Sequence, residues 1–89
     1  MAMPTTYNFY SDSGHGWAKV PRWVLDELRI AEEITPYSYQ RGGDAYLEED
    51  CDLGTFCRAY EKANGNTPRF RTHISERSRI RGYESYTHG

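Results

Sequence analysis

Short runs of apolar and aromatic residues, several of them alternating with polar ones, predict β-strands along most of this chain. Four such runs lie at residues 7–10, 18–20, 37–48 and 69–75. The third run holds two strands, because Gly42-Gly43 at its centre tolerates the positive φ angles that a tight hairpin turn needs. Residues 78–86 form either a final edge strand or an extended arm.

Two other stretches carry the three- and four-residue apolar spacing of a helix that packs through one face. In the first, Pro21 suits a helix start because its missing N–H has no partner there in any case. The apolar stripe of this helix consists of Val24, Leu25, Leu28 and Ala31. We expect the helix to end near residue 28 or 29, and residues 30–34 to form a separate turn before Pro36.

The second helix is expected to begin at a cap provided by Asp50 or Asp52 and to run to about Ala63. Its apolar face comprises Leu53, Phe56, Cys57 and Tyr60. The sequence Asn64-Gly65-Asn66 then ends it, since glycine readily adopts the left-handed conformation of a helix C-cap.

These elements predict an α+β fold, with an antiparallel sheet of four to five strands and two helices in the order ββαββαβ. A chain of 89 residues buries only about 60–65% of its unfolded surface, so residues 1–89 form a single small domain with frayed ends near 1–5 and 85–89.

A core of this size leaves little room for an enclosed substrate pocket, which indicates a protein that is not an enzyme. Because no apolar run reaches the ~18 residues of a membrane span, we expect a cytoplasmic protein without membrane contact.

Charge is distributed unevenly along the chain, although the net charge is only −2. Residues 37–52 hold five acids and one base, whereas residues 69–89 hold five arginines and two acids. The overall charge therefore favours no partner class, and the acidic middle and the basic end are the regions to consider.

An acidic cluster stands at the expected start of the second helix, where a carboxylate stabilises the helix dipole by about 0.3–1 kcal/mol. The cluster can also face a protein partner, because a capping side chain still contacts water. Its spacing does not fit an EF-hand loop, and catalysis by paired carboxylates would need a cleft. With neighbouring tyrosines it predicts a protein-binding surface formed by Glu48, Glu49, Asp50, Asp52, Tyr37, Tyr39 and Tyr46.

The basic end supplies four candidate nucleic-acid contacts, which are Arg69, Arg71, Arg79 and Arg81. Tyr83 and Tyr86 lie close to them in sequence, and arginine with aromatic residues is the composition used for phosphate contact and base stacking. The same residues also fit a solvated strand face, or a protein interface, where Arg and Tyr are enriched. Binding of DNA or RNA through these arginines is our alternative prediction.

Histidine and cysteine residues match no familiar zinc spacing, so the sequence predicts no metal site and no cofactor. The glycines on either side of His15 are compatible with a phosphate-cradling loop or a metal ligand, but a hairpin turn beside a buried Trp17 explains them more simply. Cys51 and Cys57 are expected to be reduced thiols, because they point to different helix faces and neither has an activating environment.

The chain contains the stretches SGHGW, VP, LDELRIAEEI, PYSYQRG and YLEEDCD. As a set they resemble a family of short uncharacterised proteins carried by bacteria, their phages and plasmids, although Arg29 stands where such proteins are expected to have glycine. The resemblance implies a mobile-element setting. By analogy with small anti-defence factors, including anti-CRISPR proteins, it implies an inhibitor or adaptor that binds a host protein or a nucleic-acid-binding complex.

A second, fainter resemblance lies in residues 20–30. Val20-Pro21 followed by a helix that ends in Glu27-Leu28-Arg29-Ile30 is similar to the signature of AbrB-type transcription factors, which dimerise through swapped hairpins. Exposed tyrosines and an edge strand after Arg77 are also compatible with a homodimer.

Overall fold

The computed structural model describes residues 2–88 of the chain. Its strands are β1 (Thr6–Ser11), β2 (Gly16–Pro21), β3 (Tyr39–Arg41), β4 (Asp44–Glu48), β5 (Arg69–Ile74) and β6 (Glu84–Ser85). Its α-helices are α1 (Arg22–Glu27), between β2 and β3, and α2 (Asp52–Asn64), between β4 and β5. Short 3₁₀ helices occur at Ala31–Glu33 and Arg79–Gly82. No helix among these residues is both long and apolar enough to cross a membrane.

The strands within residues 2–88 form one six-stranded sheet in the order β5-β1-β2-β4-β3-β6. The α+β class and the two helices are confirmed, but the antiparallel sheet of four to five strands is not. The sheet is mixed, because β1 and β5 pair in parallel, with Tyr7 opposite Phe70. This pairing arises since α2 carries the chain back across the sheet before β5 begins, as parallel neighbours require. Periodicity along one strand holds no information about the direction of its partner.

One face of the sheet and the two helices enclose the main core. Ala18 and Val20 of β2 and Ala45 and Leu47 of β4 point into it, and each is fully buried. The helices cover this face with Val24, Leu25, Phe56 and Tyr60. Full burial of one Val, Leu or Phe side chain contributes about 1.5–3 kcal/mol, so this layer accounts for most of the hydrophobic stabilisation.

Just after α1 lies a residue in the left-handed backbone conformation, which glycine adopts more readily than other residues. Arg29 has a positive φ of 60°, and its N–H donates to the Asp26 carbonyl at 3.0 Å. The Ile30 N–H donates to the Leu25 carbonyl, also at 3.0 Å. These two bonds form a Schellman motif, whose usual apolar contact is made here by the buried side chains of Ile30 and Leu25. The expectation of glycine at position 29 therefore has a structural basis.

The opposite face of the sheet is partly covered by residues 75–83, which we call the C-terminal arch. Ile80 of the arch is buried against Trp17 and Tyr46. Tyr83 packs edge-on against Tyr46, with 5.1 Å between ring centroids. This second, smaller core buries aromatic side chains that would otherwise stand on an open sheet.

A buried carboxylate, that of Asp12, fastens the arch to the turn between β1 and β2. Asp12 Oδ1 accepts hydrogen bonds from the N–H groups of Gly14 and His15, both at 3.1 Å. Oδ2 accepts from the Ser78 N–H at 2.9 Å, and the Arg81 guanidinium donates to both oxygens, at 2.6 and 2.7 Å. The bonds with Arg81, and then those with the backbone, hold the pKa of Asp12 well below its ordinary value of 3.8.

The described part of the C-terminus is fixed to the rest of the molecule. β6 pairs with β3, and the Tyr86 N–H donates to the Ser38 carbonyl at 2.9 Å. The Tyr86 hydroxyl donates to the Ala31 carbonyl at 2.7 Å. At the other end, the Arg69 N–H donates to the Thr5 carbonyl at 2.9 Å. Of the fraying expected near 1–5 and 85–89, residues 1 and 89 lie outside the described residues, and residues 5, 85 and 86 are anchored.

We predict that Arg29→Gly raises the free energy of unfolding by about 1 kcal/mol, because a residue with a Cβ pays roughly that much in the left-handed region. Chemical denaturation with urea measures the change. Arg29→Ala is the matched control, since it removes the same guanidinium but keeps the Cβ. Equal stability of the Gly and Ala variants would contradict the prediction.

We also predict a specific acid sensitivity. Because folding lowers the pKa of Asp12, its stabilising contribution is fully present above the unfolded value of 3.8 and is lost progressively as the pH falls below it. Asp12→Asn should therefore be less stable than the wild type at pH 7 and should lose less stability on acidification. Urea titrations from pH 7 into the acid range measure this difference.

Asp44→Asn provides the control, because Asp44 forms a more exposed ion pair, 3.8 Å from Lys19. If the free energy of unfolding of Asp12→Asn fell with pH in parallel with that of the wild type, Asp12 would not be the source of the acid sensitivity.

Candidate functional site

Asp52, predicted to contact a partner, is instead buried at 1% exposure. Its carboxylate accepts hydrogen bonds from the Thr35 N–H, from the Thr35 hydroxyl at 2.8 Å and from the Ser38 hydroxyl at 2.5 Å. Cys51, rather than Asp50 or Asp52, occupies the N-cap position of α2. Asp52 therefore ties the loop before β3 to the start of α2, and its charge does not reach a partner-facing surface.

Tyr46 also lies away from the predicted surface. It is largely buried between the sheet and the arch, where burial, and then the nearby Tyr83, raise its pKa to about 12. The hydroxyl is therefore harder to ionise than that of an exposed tyrosine, and the ring packs in the second core.

Three of the predicted residues are brought together around one cavity of about 390 Å³. Tyr37, Tyr39 and Glu48 line it together with His15, Trp17, Cys51 and Arg81. Glu49 and Asp50 follow Glu48 directly and are exposed. We call this region, the cavity with its acidic rim, the acidic–aromatic corner. Tyr37 is unusually accessible for an aromatic residue, with 75% of the residue exposed.

Glu48 is held in a defined orientation within the corner. Its N–H donates to the Ser38 hydroxyl at 2.9 Å, so the Asp52–Ser38 contact also positions the end of β4. Glu48 Oε2 accepts from the Asp50 N–H at 3.0 Å, and Oε1 lies 3.6 Å from His15 Nδ1. The side chain of Glu48 is only 13% exposed, whereas that of His15 is about half exposed.

His15 is a residue of this corner that the sequence raised as an alternative metal ligand but did not assign to the protein-binding surface. The expected hairpin turn beside a buried Trp17 is confirmed, but the turn also places His15 next to Glu48 and Asp50, with ligand atoms within 4.8 Å of one another. Register between β2 and β4, which pairs Trp17 with Glu48, creates this proximity. The Gly-His-Gly sequence predicted the turn but carried no signal for its neighbour across the sheet.

The four arginines predicted to contact nucleic acid lie in two different environments. Arg69 and Arg71 are exposed on the edge strand β5, and Arg79 is exposed on the arch. Arg81 is instead paired with Asp12 and lies over the Trp17 ring, 5.4 Å from its centroid. Arg81 is therefore a structural residue that lines the acidic–aromatic corner, and it is not available for phosphate contact.

A second, larger recess of about 710 Å³ lies between the arch and the sheet. It is lined by Tyr10, Lys19, Tyr46, Ser75, Arg77, Ser78, Arg79, Ile80 and Tyr83, and we call it the basic groove. Beside it, His73 of β5 stacks on Tyr10 with 5.0 Å between ring centroids and 19° between planes. The groove thus combines three cationic side chains with tyrosine rings.

Both cysteines are free thiols, as the sequence predicted. Burial, followed by the nearby Glu61, raises the pKa of the Cys57 thiol, which leaves it protonated and weakly nucleophilic.

Comparisons of the chain with protein-family models, with curated proteins and with solved structures found no match. The candidate sites therefore have to be interpreted from their own chemistry.

Proposed function

We propose that this protein is a non-enzymatic protein-binding module that uses the acidic–aromatic corner to contact a cationic surface. The observation that carries the proposal is the position of Tyr37, a large aromatic residue left 75% exposed beside an acidic rim. Tyrosine is strongly enriched among residues that dominate binding energy at interfaces. Tyr39 and the buried Trp17 line the same cavity as Tyr37, with 6.2 Å between the ring centroids of Tyr39 and Trp17.

Charge defines the kind of partner. Glu49 and Asp50 are exposed at the rim, and Glu48 lies at the edge of the cavity. The one arginine that lines the cavity, among the residues described, is Arg81, and Asp12 neutralises it. The corner is therefore net negative, which complements lysine- or arginine-rich protein surfaces and speeds encounter with them.

Proteins that bind nucleic acids present such cationic surfaces. This fits the role implied by the sequence resemblance, a cytoplasmic inhibitor or adaptor from a mobile element that binds a host protein or nucleic-acid-binding complex. Within that role, Tyr37, Tyr39, Glu48, Glu49 and Asp50 form the contact surface. Asp52 and Tyr46 act indirectly, by holding the loops and the arch in place.

The test is a pull-down from bacterial lysate with and without nuclease, with partners identified by mass spectrometry and then purified for affinity measurement. Tyr37→Ala combined with Glu49→Lys should weaken the complex by about 2 kcal/mol or more, roughly 30-fold, as expected when an interface hot spot is removed. Both residues are exposed, so the fold should be retained.

Glu33→Lys is the matched control, because it makes the same charge change at an exposed acid that lines a different recess. A partner that binds the double variant and the wild type equally well would count against the acidic–aromatic corner.

A second candidate function, nucleic-acid binding, is favoured by the basic groove. Lys19, Arg77 and Arg79 line it with tyrosine rings, and Arg71 stands on the adjoining β5. Cationic side chains that follow a phosphate backbone, next to aromatic rings that stack on bases, are typical of proteins that bind single strands. This version uses Arg69, Arg71 and Arg79 but not Arg81.

This candidate predicts that binding of a single-stranded oligonucleotide weakens steeply with salt. Arg71→Ala with Arg79→Ala should reduce the slope of log K against log salt by about 0.7 for each phosphate that the variant no longer neutralises. Fluorescence anisotropy across a salt series measures the slope. Arg58→Ala, an exposed arginine on α2 at the other face of the sheet, should leave it unchanged. No binding at low salt would eliminate this candidate.

A further inference from the structure

The strongest unassigned chemistry in the molecule is a group of three potential metal ligands from two separate segments. His15 comes from the turn between β1 and β2, and Glu48 and Asp50 come from the end of β4 and the turn that follows. One ligand atom from each of them lies within 4.8 Å of the other two. We propose that His15, Glu48 and Asp50 bind a divalent transition metal ion, with zinc as the reference ion.

Zinc binding would require little movement of the ligand atoms. His15 Nδ1 and Glu48 Oε1 are 3.6 Å apart. In a tetrahedral zinc site with metal–ligand bonds of about 2.0–2.2 Å, neighbouring ligand atoms lie about 3.4 Å apart. A zinc ion between these two atoms would therefore shift them by only a few tenths of an ångström, and Asp50, which is exposed, can turn its carboxylate to complete the set.

Two of the ligand positions are fixed by backbone hydrogen bonds, one made directly to a buried carboxylate and one made to a hydroxyl that binds a buried carboxylate. The His15 N–H donates to Asp12 at 3.1 Å. The Glu48 N–H donates to Ser38, whose hydroxyl in turn donates to Asp52. Glu48 Oε2 accepts from the Asp50 N–H, and Oε1 is the oxygen that faces His15 Nδ1. The backbone positions of His15 and Glu48 are thus set before any ion binds, which lowers the entropic cost of assembling the site.

A second, independent observation lies in the cavity beside these residues. Trp17 lines the cavity next to His15 and Glu48, and it is 2% exposed. Its indole N–H has no hydrogen-bond acceptor among residues 2–88. A buried donor without a partner is costly. The indole N–H is covered by its neighbours, so a water or anion bound to the metal would supply the acceptor only after a small shift of those neighbours.

The donor set selects the class of ion. Oxygen-only sites favour Mg²⁺ and Ca²⁺, whereas an imidazole nitrogen favours Zn²⁺, Co²⁺, Ni²⁺ or Fe²⁺. One imidazole and two carboxylates leave at least one coordination position for an external ligand, as in zinc sites with three protein ligands. The site shares Glu48 and Asp50 with the proposed contact surface, so a bound zinc ion would offset part of the negative charge of the corner. The two proposals are tested separately, because the test of the proposed function changes Tyr37 and Glu49 and leaves all three ligands intact.

The experiment is isothermal titration of tag-free protein with ZnCl₂ in the presence of excess Mg²⁺, together with visible absorption of the Co²⁺-loaded protein. We expect one zinc ion per chain. His15→Ala and Asp50→Asn should each weaken binding at least about tenfold, the lower end of the effect seen even when an outer-shell partner is removed. Far-UV circular dichroism verifies that each variant retains the fold, which is expected since both residues are exposed.

His88→Ala is the matched control, since His88 is exposed beside Asp26 and Glu32 in a different recess. It should bind zinc as the wild type does, and the Co²⁺ spectrum should change in His15→Ala but not in His88→Ala. Absence of stoichiometric zinc binding by the wild type, equal weakening in the two histidine variants, or displacement of zinc by Mg²⁺ would each overturn the proposal.

Discussion

The carboxylate of Asp12 is the interaction on which the rest of the structure depends. Its hydrogen bonds join the turn between β1 and β2 to the C-terminal arch, two segments about 66–69 residues apart in sequence. The arch in turn covers Trp17 and Tyr46 and separates the acidic–aromatic corner from the basic groove. A single ion pair, between the buried Asp12 and the partly exposed Arg81, thus divides one face of the sheet into two chemically opposite surfaces. Removal of Arg81 would be strongly destabilising, because the carboxylate of Asp12 would remain buried without its charged partner.

Features encoded by neighbouring residues could be predicted from the sequence. The turn at Gly42-Gly43 follows from the glycine dipeptide, and Gly42 adopts a φ of 58°. Likewise, α2 ends at Gly65 as predicted, and the φ of 79° at this residue is the left-handed geometry expected of a C-cap glycine. In each case the physical requirement and the residue that meets it lie within a few positions of one another.

Features created by distant segments could not be predicted in the same way. Asp52 and Arg81 were expected at the surface because charged residues are rarely buried without partners. Their partners, Thr35 and Ser38 for Asp52 and Asp12 for Arg81, come from other parts of the chain. The parallel pairing of β5 and the approach of His15 to Glu48 depend likewise on strand order and register. Local patterns identified which residues are charged or aromatic, but only the fold determines which of them meet.

The connection between Asp12 and the arch also determines what the molecule would expose without it. The contacts that hold the arch join residues 66–69 positions apart, so the aromatic face of the sheet depends on a distant segment for its cover. Without the arch, Trp17 and Tyr46 would lie on an uncovered sheet, and Arg81 would no longer line the cavity of the corner. A contiguous exposed aromatic surface of this kind favours association between molecules. Docking of the arch therefore protects the protein from self-association as well as separating its two surfaces.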